Sequence, residues 1–268
     1  MKKFLSTIIL IAAIICFCWS AFSLGRYAWQ TWVTQKNVND LASEINDTPL
    51  LIDEADPNTD ETINAADQAA LDAEAMMAKY SNLYNRNQDF IGWLSIEGTK
   101  INYPVMYTPY DPQHYLRRNF DGDYDIGGML FADYRCSFDP ASTDIIIYGH
   151  HMKNGTMFGP LMDFKDVDYL QAHSTVTFDT IYRPGIYRIF ASLLSAAYDD
   201  DSDVFKYYDF INAESKEELT EYLDNIKALS LYYDEDNAPV FGDEFLTLST
   251  CDYTQEDGRF AVLAKRIR

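Results

Sequence analysis

Cys251 and Arg259 are the two side chains whose types and spacing offer joint chemistry. Residues 244–250 and 260–263 are rich in β-branched and apolar side chains, and both read as strands. The polar stretch between them ends in Asp257-Gly258, a turn signal. The pattern is a hairpin with Cys251 closing the first strand and Arg259 opening the second. Residues opposite one another on such a pair have Cβ atoms about 4.5–5.5 Å apart. A free thiol has a pKa of about 8.5, so only a small fraction is thiolate at neutral pH. A neighbouring cation favours the thiolate. Arg keeps its charge throughout and presents donors in a rigid fork, so it can stabilise an oxyanion formed when the thiolate attacks a carbonyl. A Cys and an Arg with no further company read more simply as an inert thiol beside a surface cation.

Residues 144–152, Asp-Ile-Ile-Ile-Tyr-Gly-His-His-Met, supply the company. They read as a buried strand running into Gly149 and then His150 and His151. A histidine there could serve as general acid or base. Neighbouring residues on a strand point to opposite faces, so one of the two faces the cysteine. The residues themselves leave open which one. His114 and His173 lie outside the pattern and read as surface or satisfied core residues.

Thr247-Leu248-Ser249-Thr250-Cys251 followed by Arg259, with Tyr148-Gly149-His150 upstream, resembles the sortases, the cysteine transpeptidases of Gram-positive cell surfaces. Two further stretches resemble class B within that family. One is Asn87-Gln88-Asp89-Phe90-Ile91-Gly92-Trp93-Leu94-Ser95-Ile96, continuing to Tyr103-Pro104-Val105. The other is Gly127-Gly128-Met129-Leu130-Phe131-Ala132-Asp133. The similarity spans about residues 67–268, and it is the ordered set, more than any single motif, that carries it.

The resemblance implies an eight-stranded β-barrel with an N-terminal helical extension and a helix inserted before the cysteine strand. It implies Cys251 as nucleophile, Arg259 as the group that positions substrate and stabilises the oxyanion, and His150, directly after Tyr-Gly, as acid and base. Ser249 and Leu116 match positions that line the family's substrate groove. The implied partners are surface proteins bearing a sorting signal, cleaved after Thr, and an amine of peptidoglycan; no cofactor is implied. Two other classes stand beside this reading. A papain-like protease needs a Cys-Gly-x-Cys-Trp context and an Asn to orient its His, and neither is visible. A non-catalytic, membrane-anchored β-domain needs no Cys, His and Arg at strand ends.

The elements that must position these residues follow from the texture of the chain. Short strands are expected at 91–96, 101–106, 128–133, 144–148, 175–182, 185–194, 245–250 and 259–264, with a hairpin turn at Arg183-Pro184-Gly185. Recurring strands with turn signals suggest a mostly β barrel or sandwich. Residues 65–84 are rich in helix formers, and Leu71, Ala75, Met76, Lys79, Tyr80 and Leu83 fall near one face. Short helices are expected at 112–116 and 157–164. A longer amphipathic one follows Ser215, whose spacing to Glu218 is that of a capping box. The acidic run at 199–203 lacks the Gly and terminal Glu of an EF-hand loop and reads as a solvated loop.

Lys2 and Lys3 precede an uncharged apolar run over residues 4–24, close to the roughly 20 residues needed to span a bilayer. The basic end stays in the cytoplasm and the remainder lies outside. A signal peptide cut after Ala21-Phe22-Ser23 is the rival reading. The expected organisation is thus a cytoplasmic tip and membrane anchor at 1–25, an extracytoplasmic linker at 26–64 and a catalytic domain at 65–268. Residues 35–64 are polar and acidic, with Pro49 and Pro57, and read as a stalk with little fixed structure. On that reading, removing the chain up to about Ala65 leaves activity intact.

The whole chain has 268 residues, 47% hydrophobic and 15% aromatic, enough for one packed domain and an appendage. Its net charge of -21 argues against nucleic acid as a partner. Of four cysteines, Cys16 and Cys18 lie in the apolar run. Cys136 and Cys251 imply no disulfide framework and are read as free thiols. No Cys/His cluster has zinc spacing.

Overall fold

The computed structural model describes residues 2–45, 65–199, 201–254 and 256–268. Two helices, α1 (Lys2–Ser43) and α2 (Ala65–Arg86), precede a barrel. Its strands are β1 (Phe90–Ile96), β2 (Asn102–Met106), β3 (Leu130–Ala132), β4 (Asp144–Tyr148), β5 (Thr175–Thr180), β6 (Ile186–Ala196), β7 (Ser230–Tyr233), β8 (Phe245–Cys251) and β9 (Gly258–Arg266). Helix α3 (Val167–Ala172) precedes β5, and α4 (Lys216–Leu229) lies between β6 and β7.

The sheet order is β5-β1-β2-β3-β4-β8-β9-β6, and pairing of β5 with β6 closes these strands into an eight-stranded barrel. Neighbours are antiparallel except β2 with β3 and β4 with β8. Closure leaves no free edge among the eight. β6 is the longest strand; its first half pairs with β5 and its second half carries β7 on the same edge. β7 was not expected. It follows α4 without a break and has four residues, too few to show a period of two. The expected helices at 112–116 and 157–164 are 3-10 turns, His114–Arg117 and Gly159–Lys165.

The helices follow their sequences. On α2, Met76, Tyr80 and Leu83 are buried against the barrel, one helical turn apart, while Leu71 is exposed. Lys79, the polar residue of that face, reaches Asp179 of β5 at 2.7 Å, and the Tyr80 hydroxyl donates to the same carboxylate. α4 is capped by Ser215, whose hydroxyl accepts from the Glu218 backbone N–H. The return leg differs from a standard box: Glu218 accepts from the N–H of Glu214. Leu219, Tyr222, Leu223 and Ile226 form its buried stripe, and Tyr222 packs on Phe245, where β8 begins. α4 therefore lies at the end of β8 away from Cys251.

The stalk reading is corrected for residues 35–45. α1 runs unbroken from the apolar segment to Ser43. Its last turns lie on the barrel, with Thr34, Val38 and Leu41 buried. These positions are spaced four and three apart, so one helical face docks while Lys36, Asn39 and Asp40 stay outside. Composition hid this because a single stripe of three residues in a polar segment is enough. Arg86 of α2 then clamps the helix end through Glu44 at 2.7 Å. Residues 46–64 lie outside the described residues.

Val38 and Leu41 belong to the main core, so the truncation expected to leave activity intact should cost stability. Burying such side chains contributes about 1.5–3 kcal/mol each. Removal of residues 1–25 should leave the melting temperature unchanged. Removal of 1–64 should lower it and expose apolar surface, read as dye binding.

One barrel residue has a testable pH effect. Asp144 is fully buried; its Oδ2 accepts from Thr247 Oγ1 at 2.8 Å, and its Oδ1 has no partner. Burial pushes this carboxyl well above the usual carboxylate range. The folded state therefore holds the proton more tightly than the unfolded chain. Stability contributed by the neutral form is present at low pH and is lost as pH rises through the window between the two pKa values. Asp144→Asn should remove that slope, because the amide does not ionise, and so weaken the fall in stability as pH rises. Thermal unfolding from pH 4 to 8 checks both the sign and the slope.

Candidate active site

Three neighbouring strands deliver the site. β8 is buried along its length until Cys251, which is half-buried at the barrel rim. β9 returns antiparallel, and Cys251 and Arg259 are direct Cα partners. The turn between them is closed by the N–H of Asp252 donating to the Gly258 carbonyl at 2.8 Å. Asp257 takes a left-handed conformation with φ 50°, which Asp tolerates better than most residues, and glycine follows it. The hairpin expected from Asp257-Gly258 is therefore the one formed.

β4 lies on the other side of β8, in parallel, with Tyr148 level with Ser249. β4 ends there, so His150 follows two residues beyond Tyr148, at the end of the barrel where β8 delivers Cys251. Gly149 is required by its close packing on Leu130 of β3 and on Phe158. A Cβ there would stand 2.4 Å from Leu130 Cδ2 and 2.6 Å from Phe158 Cδ2. Its N–H donates to the Ser249 carbonyl, and its own carbonyl accepts from Thr250 Oγ1 at 2.8 Å.

The two histidines divide their roles. His150 Nε2 lies 2.8 Å from the Leu116 carbonyl. A carbonyl only accepts, so Nε2 carries the proton and Nδ1 is the free lone pair of the neutral ring. Burial holds His150 below the ordinary histidine value; the Leu116 bond offsets part of this and the charge of Arg117 adds to it. The His151 ring donates from Nδ1 to the Cys251 carbonyl at 3.1 Å and stacks on Tyr253 at 5.0 Å. His151 therefore braces the backbone of the cysteine.

Leu116 meets the site through its carbonyl, in a turn held by Gly128. At φ 59°, Gly128 packs where a Cβ would stand 2.5 Å from the Tyr115 and Leu116 oxygens. Ser249 is 2% exposed, and its hydroxyl lies 2.6 Å from that of the buried Tyr207. It supports the site from beneath and does not line an open groove in this state. Arg259 donates from Nη1 to the Gly258 carbonyl at 3.0 Å and the Asp257 carbonyl at 3.2 Å.

Asp252 and Tyr207 join the site without having been singled out. The Asp252 side chain is 1% exposed and pairs with Lys165 at 2.9 Å, while accepting from Thr254 N and Oγ1. Burial alone would raise its pKa, but these donors hold the carboxyl below the usual range. It locks the turn between Cys251 and Arg259. Its place directly after the cysteine was the available signal; Lys165, far away in sequence, was not. Cys136, the other thiol of the domain, is buried, and burial pushes it up to about 12.

A sortase B of Listeria monocytogenes is 34% identical over 191 residues, covering 69% of this chain and 73% of its own length. The chain belongs to the sortase B family. Among solved structures, Clostridium perfringens sortase B superposes with a TM-score of 0.63 at 30% identity, over 70% of this chain and 99% of the other. A Staphylococcus aureus sortase B–substrate complex gives 0.63 at 26% identity, over 75% and 94%. No family model matches the chain. As a member of the sortase B family the protein is a cysteine transpeptidase, and the one helix among the described residues that is long and apolar enough to cross a membrane, at the N-terminus, holds the catalytic domain outside it.

Proposed function

We propose that Cys251, His150 and Arg259 carry the reaction, and that the substrate is a sorting signal of the Asn-Pro-x-Thr type or a related pentapeptide. The Cys251 thiolate attacks the Thr carbonyl carbon, and the oxyanion is met by the Arg259 guanidinium. The C–N bond to the next residue breaks, and the departing amine takes from His150 Nδ1 the proton that the Cys251 thiol gave up to that nitrogen when the thiolate formed. The thioester that remains is attacked by an acceptor amine of peptidoglycan. His150 takes that amine's proton, an amide forms, and Cys251 is released. Ser249 and Leu116 act by holding the walls of the site, the first through Tyr207 and the second through His150. Residues 1–25 anchor the protein and 65–268 form the catalytic domain, with the docked end of α1 as part of that domain.

The observation that supports this reading is the register of β4, β8 and β9, in which Cys251 is the direct partner of Arg259 and β4 ends beside Ser249, two residues before His150. A panel of sorting pentapeptides, scored for cleavage with and without added amines, tests it. Transfer to the amine is the expected result. Hydrolysis at the same rate whether or not amine is present would make the protein a protease, and no turnover of any peptide would remove the substrate assignment.

A further inference from the structure

Within α1, the apolar run and the face that docks on the barrel are separated by only a few residues. The uncharged run ends at Leu24, and Tyr27, three residues on, is the first α1 residue partly covered. At about 1.5 Å per residue, that is about 5 Å along the axis. Thr31, about 10 Å beyond Leu24 on the same rise, accepts from Asn154 Nδ2 at 2.8 Å. Thr34 bonds Asp125. Gln35 meets the Tyr103 hydroxyl at 3.4 Å, and that hydroxyl accepts from the Met157 N–H at 3.0 Å.

Asn154 and Met157 lie in the loop that follows His150, and Asp125 in the loop that follows Leu116. The segments framing the catalytic histidine are therefore those that lean on the juxtamembrane turn. On the open side of that turn, Trp29 and Trp32 are 64% and 55% exposed, with rings 5.2 Å apart. Tryptophans in this position favour the headgroup layer. Lys153 is exposed at the tip of the same loop as Asn154, and long cationic side chains suit that layer too.

We propose that the barrel rests directly on the outer leaflet, with Trp29, Trp32 and the loop of Lys153 in contact with lipid headgroups. The inference rests on the membrane span and the docking of α1, and is independent of the substrate proposed above. His150 lies four residues from Asn154, within about 14 Å of extended chain. The site would thus work within a few nanometres of the bilayer, on groups that are themselves held near it.

The test uses the full chain in phosphatidylcholine–phosphatidylglycerol vesicles containing headgroup-level spin-labelled lipid. An environment-sensitive fluorophore is placed at Lys153→Cys or, as a control at the far end of β8, at Glu217→Cys. Both are made in a background carrying Cys16→Ala, Cys18→Ala, Cys136→Ala and Cys251→Ala. The background is first checked for an unchanged circular dichroism spectrum; if Cys136→Ala disturbs it, the buried Cys136 is retained. Emission at 153 should be roughly halved by the quencher lipid and shifted to the blue, with emission at 217 unaffected. Equal quenching at both positions, or none at either, would show that the barrel tumbles freely or stands off the membrane, and would overturn the proposal.

Discussion

Cys251→Ala should abolish both peptide cleavage and transfer, with no change in melting temperature. No other group on the barrel can form the thioester: Cys136 is the one other thiol of the domain, and it is buried with its pKa pushed up to about 12. A thiol so placed is neither ionised at neutral pH nor reachable by a peptide. The truncated side chain at 251 leaves the backbone bonds of the β8–β9 hairpin and the His151 contact to its carbonyl in place. Cys136→Ala is expected to keep its activity, with a small loss of stability from the cavity left behind. Mass spectrometry of each variant after incubation with peptide gives a second readout, since the acyl adduct should form on the Cys136→Ala protein and not on Cys251→Ala. An active Cys251→Ala enzyme, or an inactive but folded Cys136→Ala one, would overturn the assignment.

Arg259→Lys should reduce turnover by about 10²–10³, the scale seen when one oxyanion donor is lost. The substitution keeps the charge and removes the planar fork. If charge near the thiolate were enough, the variant would be close to wild type. The structure adds a competing role, because Arg259 Nη1 also bonds the Asp257 and Gly258 carbonyls of its own turn. A purely structural arginine predicts a fall in melting temperature in step with activity. An oxyanion donor predicts a slow acylation step in a protein that unfolds at the usual temperature, since Asp252 and Lys165 hold the turn independently. Single-turnover kinetics and thermal unfolding on one preparation of Arg259→Lys distinguish the two. Full activity in that variant removes the oxyanion role.

What the sequence by itself determined is local. The β-branched and apolar runs at 245–250 and 259–264 with Asp257-Gly258 between them specify a hairpin, and its register makes Cys251 and Arg259 partners. The isoleucines before Tyr148-Gly149-His150 specify a buried strand, and the motif order led to the barrel family. Tertiary structure decided what depended on residues distant in sequence. The parallel pairing of β4 with β8 set Tyr148, two residues before His150, beside Ser249, two residues before Cys251. The Leu116 carbonyl engaged His150, while His151 turned to the cysteine backbone. Tyr207 drew Ser249 inward, and Lys165 made Asp252 a lock for the turn. The end of α1 became part of the core because a polar segment needs only Thr34, Val38 and Leu41 on one face to dock, provided that a complementary surface exists. That surface is built from β2 and the loops beside the site, and only the folded barrel assembles it. Periodicity reports which face of an element is apolar; which other element covers that face is set by packing over the whole chain.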